Sequence, residues 1–190
     1  TPLIRHASRT LVFIMSVGGL LQPQVTELLK KNRSRIFCPS GAITGVDGLL
    51  AAANGKIRKV RLITRKPPEA LMGAAYFLKK KFPVLKTASE EKCVFRGAAI
   101  EAIDHFPQNI NVAAVLSLAG IGPERTQVEI WTSLSYKGNR HEVLVEGDFG
   151  TFTTVTQNKP APGNPKTSYL AILSAIATLK KAFASVRVGT

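Results

Sequence analysis

Apolar residues along the chain fall into runs whose spacing changes from continuous to helical to alternating. Leu11 to Val17 is a short continuous apolar run that ends in Gly18-Gly19, the pattern of a central parallel strand followed by a loop. Pro23 then stands near a helix start, with Val25, Leu28 and Leu29 at helical spacing and Lys30-Lys31 at a cationic end. Arg35 to Cys38 reads as a second short strand. Strand, helix and strand together predict the closing unit of a doubly wound sheet.

The character changes at Pro39. Ser40 to Gly45 is a tight glycine-containing turn, and Thr44 and Asp47 have the spacing of a capping box that opens a helix through Ala53. Ile57 to Arg65 alternates, with Val60, Leu62 and Thr64 on one face, and Pro67-Pro68 forbids further pairing. Residues 69–91 fit a helix with a basic end followed by a loop, without a decisive pattern. Lys92 to Arg96 predicts a strand, Ala98 to Phe106 a helix, and Ile110 to Ala119 a helix buried on most sides. Gln127 to Ser135, Arg140 to Gly147 and Thr151 to Gln157 alternate as antiparallel strands. A proline-rich loop (Pro160, Pro162, Pro165) leads to a final helix with a broad apolar face from Tyr169 to Phe183. The expected fold is α/β plus α+β. A partial Rossmann-type parallel sheet over 1–39 precedes an α+β domain over 40–168 with a mixed, mostly antiparallel sheet. A C-terminal helix over 169–190 packs back on the first part.

Composition narrows the function. With 45% hydrophobic residues in 190, a sizeable core is available and a folded rather than disordered chain is expected. Cys38 and Cys93 match no metal spacing and read as buried free thiols of a reducing compartment, the cytoplasm. The formal net charge of +14 attracts anions, whether nucleic acid, dinucleotide phosphates or dicarboxylates. Its lysines and arginines are spread out, without the interleaved aromatic residues of a stacking platform, so a nucleic-acid partner is not expected. Arg5 and Arg9 before the Leu11–Val17 run resemble a signal peptide, but no A-x-A cleavage site follows. The run is also far short of the roughly 20 residues of a membrane span, so no membrane association is expected.

Few residues carry obvious chemistry. No Ser-His-Asp spacing, zinc signature or phosphate loop is present, and no metal site is expected. His6 and His105 read as solvated. His141 shares a strand face with Val143 and Val145, while Glu142, Leu144 and Glu146 face the other way. An imidazole so placed is either a satisfied core residue or a proton-transfer group. Asn109 and Asn111 precede an apolar helix, where capping is one reading for at least one of them. Asn164-Pro165-Lys166-Thr167-Ser168 opens the final helix. Free N–H groups there, with Lys166, could hold a carboxylate or phosphate, or Thr167 or Ser168 could simply cap it.

Several segments, in order, resemble the L-aspartate dehydrogenase family. They are Met15-Ser16-Val17-Gly18, Pro39-Ser40-Gly41-Ala42-Ile43, Thr64-Arg65-Lys66-Pro67-Pro68, Phe106 to Ala114, Asn139-Arg140-His141-Glu142, and Pro162 to Ser168 followed by Ala175 to Lys180. The resemblance implies a two-domain, homodimeric enzyme that oxidises L-aspartate with NAD or NADP to iminoaspartate, which feeds NAD biosynthesis or hydrolyses to oxaloacetate and ammonia. It implies His141 as the catalytic histidine and Ala42 and Asn111 as cofactor contacts, with Asn109 an alternative. Lys166 and Thr167 are substrate candidates from local chemistry alone. A G-x-G-x-x-G turn at a helix N-terminus, expected in a dinucleotide-binding domain, is not found, and the chain starts without an initiator methionine. These features lead to the expectation of a fragment, or of a form that has lost cofactor binding, with little or no activity alone. The competing expectation is a non-catalytic remnant serving as a protein-interaction module.

Overall fold

A computed structural model describes residues 11–13, 17–21, 25, 27, 31, 35–72, 76, 90–106 and 110–189, with backbone alone at 11, 12, 104, 165 and 166. Strands β1 (Leu11–Phe13) and β2 (Arg35–Phe37) pair in parallel, Val12 opposite Ile36. Between them run a 3₁₀ turn, Gly18–Leu21, and the helical residues Val25, Glu27 and Lys31. The two strands of the expected strand–helix–strand unit thus pair in parallel, and most of the span read as its helix lies outside the described residues. Phe13 and Phe37 stack with centroids 5.1 Å apart.

The main sheet has five strands in the order β4-β5-β3-β6-β7. These are β3 (Ile57–Lys66), β4 (Lys92–Ala98), β5 (Thr126–Thr132), β6 (Arg140–Gly147) and β7 (Gly150–Gln157). Strand β3 runs parallel to β5, and every other pair is antiparallel. The alternation in β3 slips once, between Ile57 and Lys59, where a bulge lets Ile57 and Val60 both point inward. From there the inward face reads Val60, Leu62, Thr64, Lys66.

Helices α1 (Val46–Ala52), α2 (Ala99–His105) and α3 (Asn111–Ala119) cover that face. As its composition predicts, α3 is buried nearly all round. Ser117 hides its hydroxyl on the Ala113 carbonyl at 2.7 Å. Fully buried Phe106, Leu49, Leu71, Leu116, Val60, Val128, Val143 and Val145 form the centre of the core. The opposite sheet face carries ion pairs. Glu129 takes Arg61 at 2.6 Å and Arg96 at 3.2 Å, and Arg65 reaches both Glu91 and Glu142. Much of the basic excess on this face is thus matched strand by strand.

Four expectations are corrected. The Thr44–Asp47 capping box does not form: Gly45 holds the N-cap at φ 87° with no side-chain cap, and Thr44 Oγ1 is drawn to Thr156 Oγ1 at 3.3 Å. The strand expected over Gln127–Ser135 stops at Thr132, because Ser133 to Tyr136 turn on one another, and it pairs in parallel with β3. The proline-rich segment is a small hairpin, β8 (Pro160–Ala161) with β9 (Asn164–Ser168), turned by Gly163 at φ 75°. Cys38 is half-buried and Cys93 exposed, and both are free. The final helix, α4 (Tyr169–Phe183), packs on β8 and β9 with no fully buried residue.

Candidate functional site

The inner face of the main sheet is apolar at one end and polar at the other. Strands β3, β5 and β7 end there and β6 begins there, so the register brings their terminal residues together. Lys66 lies opposite Thr132, Thr64 opposite His141, and His141 opposite Thr156. All five are buried. Parallel strands that end side by side, here β3 and β5, are a recurrent place for ligand sites.

His141 is 4% exposed, and its Nδ1 lies 3.0 Å from the Thr64 hydroxyl. Burial first, and the charge of Lys66 second, push its pKa down to about 3. The imidazole is therefore neutral near pH 7. Lys66, 7% exposed, is itself pushed down by burial to about 8. Its carbonyl accepts the Thr132 hydroxyl at 2.9 Å, which fixes the strand end from which the side chain projects.

Lys66 opens on a cavity of about 410 Å³. Lys137 and Lys159 add two more cations to its lining, against one carboxylate, Glu69, among the described residues, and Asn139, Asn158, Thr167 and Ser168 supply neutral polar groups. This lining is built for an anion. Lysines with small polar neighbours bind carboxylates through charge-assisted hydrogen bonds.

The turn that carries Ala42 is fastened above this end of the sheet. Asn158 Nδ2 donates to the Ala42 carbonyl at 2.9 Å, and the Gly41 N–H donates to Ser174 Oγ of α4 at 3.0 Å. Thr154 Oγ1 donates to the Thr44 carbonyl at 3.1 Å. Asn158 Oδ1, by contrast, is buried and has no hydrogen-bond partner among the described residues. An orphaned buried acceptor costs roughly 1–3 kcal/mol, which makes this oxygen a ready partner for a bound ligand or water that brings a donor.

The structure brings some of the sequence candidates together and separates others. His141 pairs with Thr156 of β7, and Asn158, two residues further on, donates to the Ala42 carbonyl. Asn111 is the first residue of α3 and no cap: Ile110 holds that place, and Asn111 Oδ1 accepts the Val17 N–H at 3.1 Å, tying α3 to the β1 side. Asn109 and His6 lie outside the described residues, as does the Lys166 side chain. Thr167 lines the cavity, and Ser168 takes the N-cap of α4 without a side-chain cap bond. His105 sits exposed at the end of α2, its ring 5.0 Å from that of Tyr76. Sequence reasoning missed Thr64, Lys66 and Asn158 as site residues. Their signal was parity: Thr64 and Lys66 continue the inward face of Val60 and Leu62, and Asn158 continues that of Thr154 and Thr156.

Comparison with known proteins decides the family. The family described as "Aspartate dehydrogenase, C-terminal" matches residues 47–182. The L-aspartate dehydrogenase of Methanosarcina mazei is 48% identical over 183 residues, covering 94% of this chain and 67% of that protein. The chain belongs to the aspartate dehydrogenase family. The L-aspartate dehydrogenase of Methanothermobacter thermautotrophicus is 44% identical over 193 residues, covering all of this chain and 69% of its own. The crystal structure of aspartate dehydrogenase from Thermotoga maritima superposes with a TM-score of 0.77 at 25% identity, over 99% of this chain and 71% of that one.

Aspartate dehydrogenases are oxidoreductases, and the family implies a nicotinamide dinucleotide. The residues present fit its nicotinamide end. Gly41, at φ 71°, has nothing within 4 Å of the place a Cβ would take, so the turn presents open backbone. Beside it, Asn158 Oδ1 offers an unused acceptor to a donor such as a primary amide.

Proposed function

We propose that the protein acts as an L-aspartate dehydrogenase, oxidising L-aspartate to iminoaspartate with NAD or NADP. The observation that carries this reading is His141, buried and neutral on the inner sheet face, with the charge of Lys66 acting on it from the wall of a lysine-rich cavity. Its relatives favour an enzyme over a protein-interaction module.

The substrate brings two carboxylates and one amine. Lys66, with Lys137 and Lys159, is suited to the carboxylates; Thr167 of the lining and neighbouring Lys166 are further substrate contacts in this reading. Ala42 and Asn111, with Asn109 close by in sequence, would hold the dinucleotide, which when bound would supply the acceptor for a hydride from the substrate Cα. The chain's own task is to align the two reactants, exclude water and move protons. His141 does the last. With Nδ1–H donated to Thr64 Oγ1, Nε2 keeps a lone pair that draws a proton from the substrate amine. A carboxylate arriving at Lys66 offsets the charge that lowers the imidazole pKa, so His141 gains basicity as substrate binds. The same group can activate water if the imine is hydrolysed to oxaloacetate and ammonia, and an imine left intact serves NAD biosynthesis.

A homodimer and a cytoplasmic location complete the proposal. In support of the latter, both thiols are unpaired. Among the described residues no helix is long and apolar enough to cross a membrane. The direct test is aspartate-dependent reduction of each cofactor, followed by absorbance. Formation of reduced cofactor with L-aspartate supports the reading, and none with either cofactor, in protein shown to bind it, refutes it.

A further inference from the structure

We infer that Asn158 is a specificity-determining residue of this site, its Oδ1 accepting an N–H from the ligand that occupies the lysine-rich cavity. The inference rests on the dehydrogenase reading above and adds a recognition element to it. Asn158 is 6% exposed and lines the cavity. Its backbone N–H donates to the Asn139 carbonyl at 2.9 Å, which holds the residue beyond the end of β7. Its side-chain orientation is chemically forced. The partner at 2.9 Å is the Ala42 carbonyl, which can only accept, so the atom facing it must be the amide nitrogen. The oxygen is left as a fixed acceptor with no donor among the described residues.

The polarity of the cavity limits what can satisfy that oxygen. Lys66, Lys137 and Lys159 call for negative charge on the ligand, while Asn158 Oδ1 repels carboxylate and phosphate oxygens and calls for a hydrogen-bond donor. A single ligand set must therefore present anionic oxygens and an N–H within about 410 Å³. Two sources share that chemistry: the amine of an amino dicarboxylate, and the primary carboxamide of a nicotinamide. In either case Asn158 rejects an isostere that lacks the N–H, because the buried oxygen would then stay unpaired.

The test measures affinities by calorimetry on wild-type protein and Asn158→Leu. One arm compares L-aspartate with succinate in the presence of reduced cofactor. The other compares the oxidised dinucleotide with its analogue bearing an acetyl group in place of the carboxamide. The expected result is a wild-type preference for the N–H ligand of about 10–100-fold in one arm, lost in Asn158→Leu; the arm that responds names the donor. Asn158→Ala, which removes the acceptor with less steric demand than leucine, should lose the preference as well, and this variant carries the test if the leucine variant does not fold. The inference is overturned by wild-type protein that shows no preference in either arm, or by folded Asn158→Leu or Asn158→Ala that keeps it. Wild-type protein that binds none of the four ligands overturns the dehydrogenase reading itself, a distinguishable failure.

Discussion

The Thr64 hydroxyl and the His141 Nδ1 meet at 3.0 Å across β3 and β6, both residues buried on the inner face of the sheet. Direct cross-strand pairing fixes that geometry, since Thr64 and His141 are register partners. The contact sets which imidazole nitrogen is tied to protein and which is left for chemistry. Thr64→Val keeps the volume and removes the hydroxyl. It should lower kcat by about 10–100-fold with KM for aspartate nearly unchanged, as other losses of an orienting partner do. Steady-state kinetics check this; an unchanged kcat would make Thr64 merely structural.

Lys66 should be held at a cost to stability. Its pKa near 8, against an ordinary 10.5, means that folding opposes its protonation. The sign follows: with a depressed folded pKa, its contribution is fully favourable above 10.5 and is lost as pH falls to about 8, so at pH 7 the buried charge is a burden. Lys66→Met should therefore raise stability at pH 7 by on the order of 1–3 kcal/mol while weakening aspartate binding. Urea unfolding and calorimetry measure the two effects. Destabilisation by the substitution would mean that the ammonium is well compensated in the free protein.

His141 predicts the acid limb of stability. Its folded pKa of about 3 lies below the ordinary 6.5, so protons favour the unfolded chain between these values. Stability present above pH 6.5 should drain away as pH falls toward 3, with this one group contributing a slope of about 1.4 kcal/mol per pH unit. His141→Gln should flatten the decline in that window. Parallel stability–pH curves for wild type and variant would count against a buried, neutral imidazole.

Gly45 keeps the Ala42 turn in place. It sits at φ 87°, and an added Cβ would stand 2.8 Å from Thr154 Cγ2. Gly45→Ala should cost about 1–3 kcal/mol from the left-handed backbone and the clash together. It should also raise the Kd for the dinucleotide, because the turn through Ala42 must shift. Thermal unfolding and cofactor titration test this, and wild-type values in both would show that the turn yields freely.

Much of this arrangement was legible in the sequence, and the failures have physical causes. The period-two pattern of Arg140 to Gly147 put His141 inward beside Val143 and Val145, and the structure keeps that parity. The same rule applied to β3 points Lys66 inward after Leu62 and Thr64. A lysine next to Arg65 at a strand end reads as solvated, however, and only tertiary burial reveals otherwise. Thr44 and Asp47 had the right spacing for a capping box, but the competing partner, Thr156, lies 112 residues away and is invisible to local pattern. Prolines 160, 162 and 165 argued for a loop. A two-strand hairpin tolerates them because so short a ladder needs few N–H donors. Asn158 became visible only once a register set its amide against Ala42.

Proton transfer by His141 is tested most directly by turnover of His141→Ala with L-aspartate, with and without added imidazole. The expected outcome is a fall in kcat of about 10²–10⁴-fold, little change in aspartate affinity, and partial recovery with imidazole that tracks its free-base concentration. A variant that turns over at the wild-type rate would contradict it.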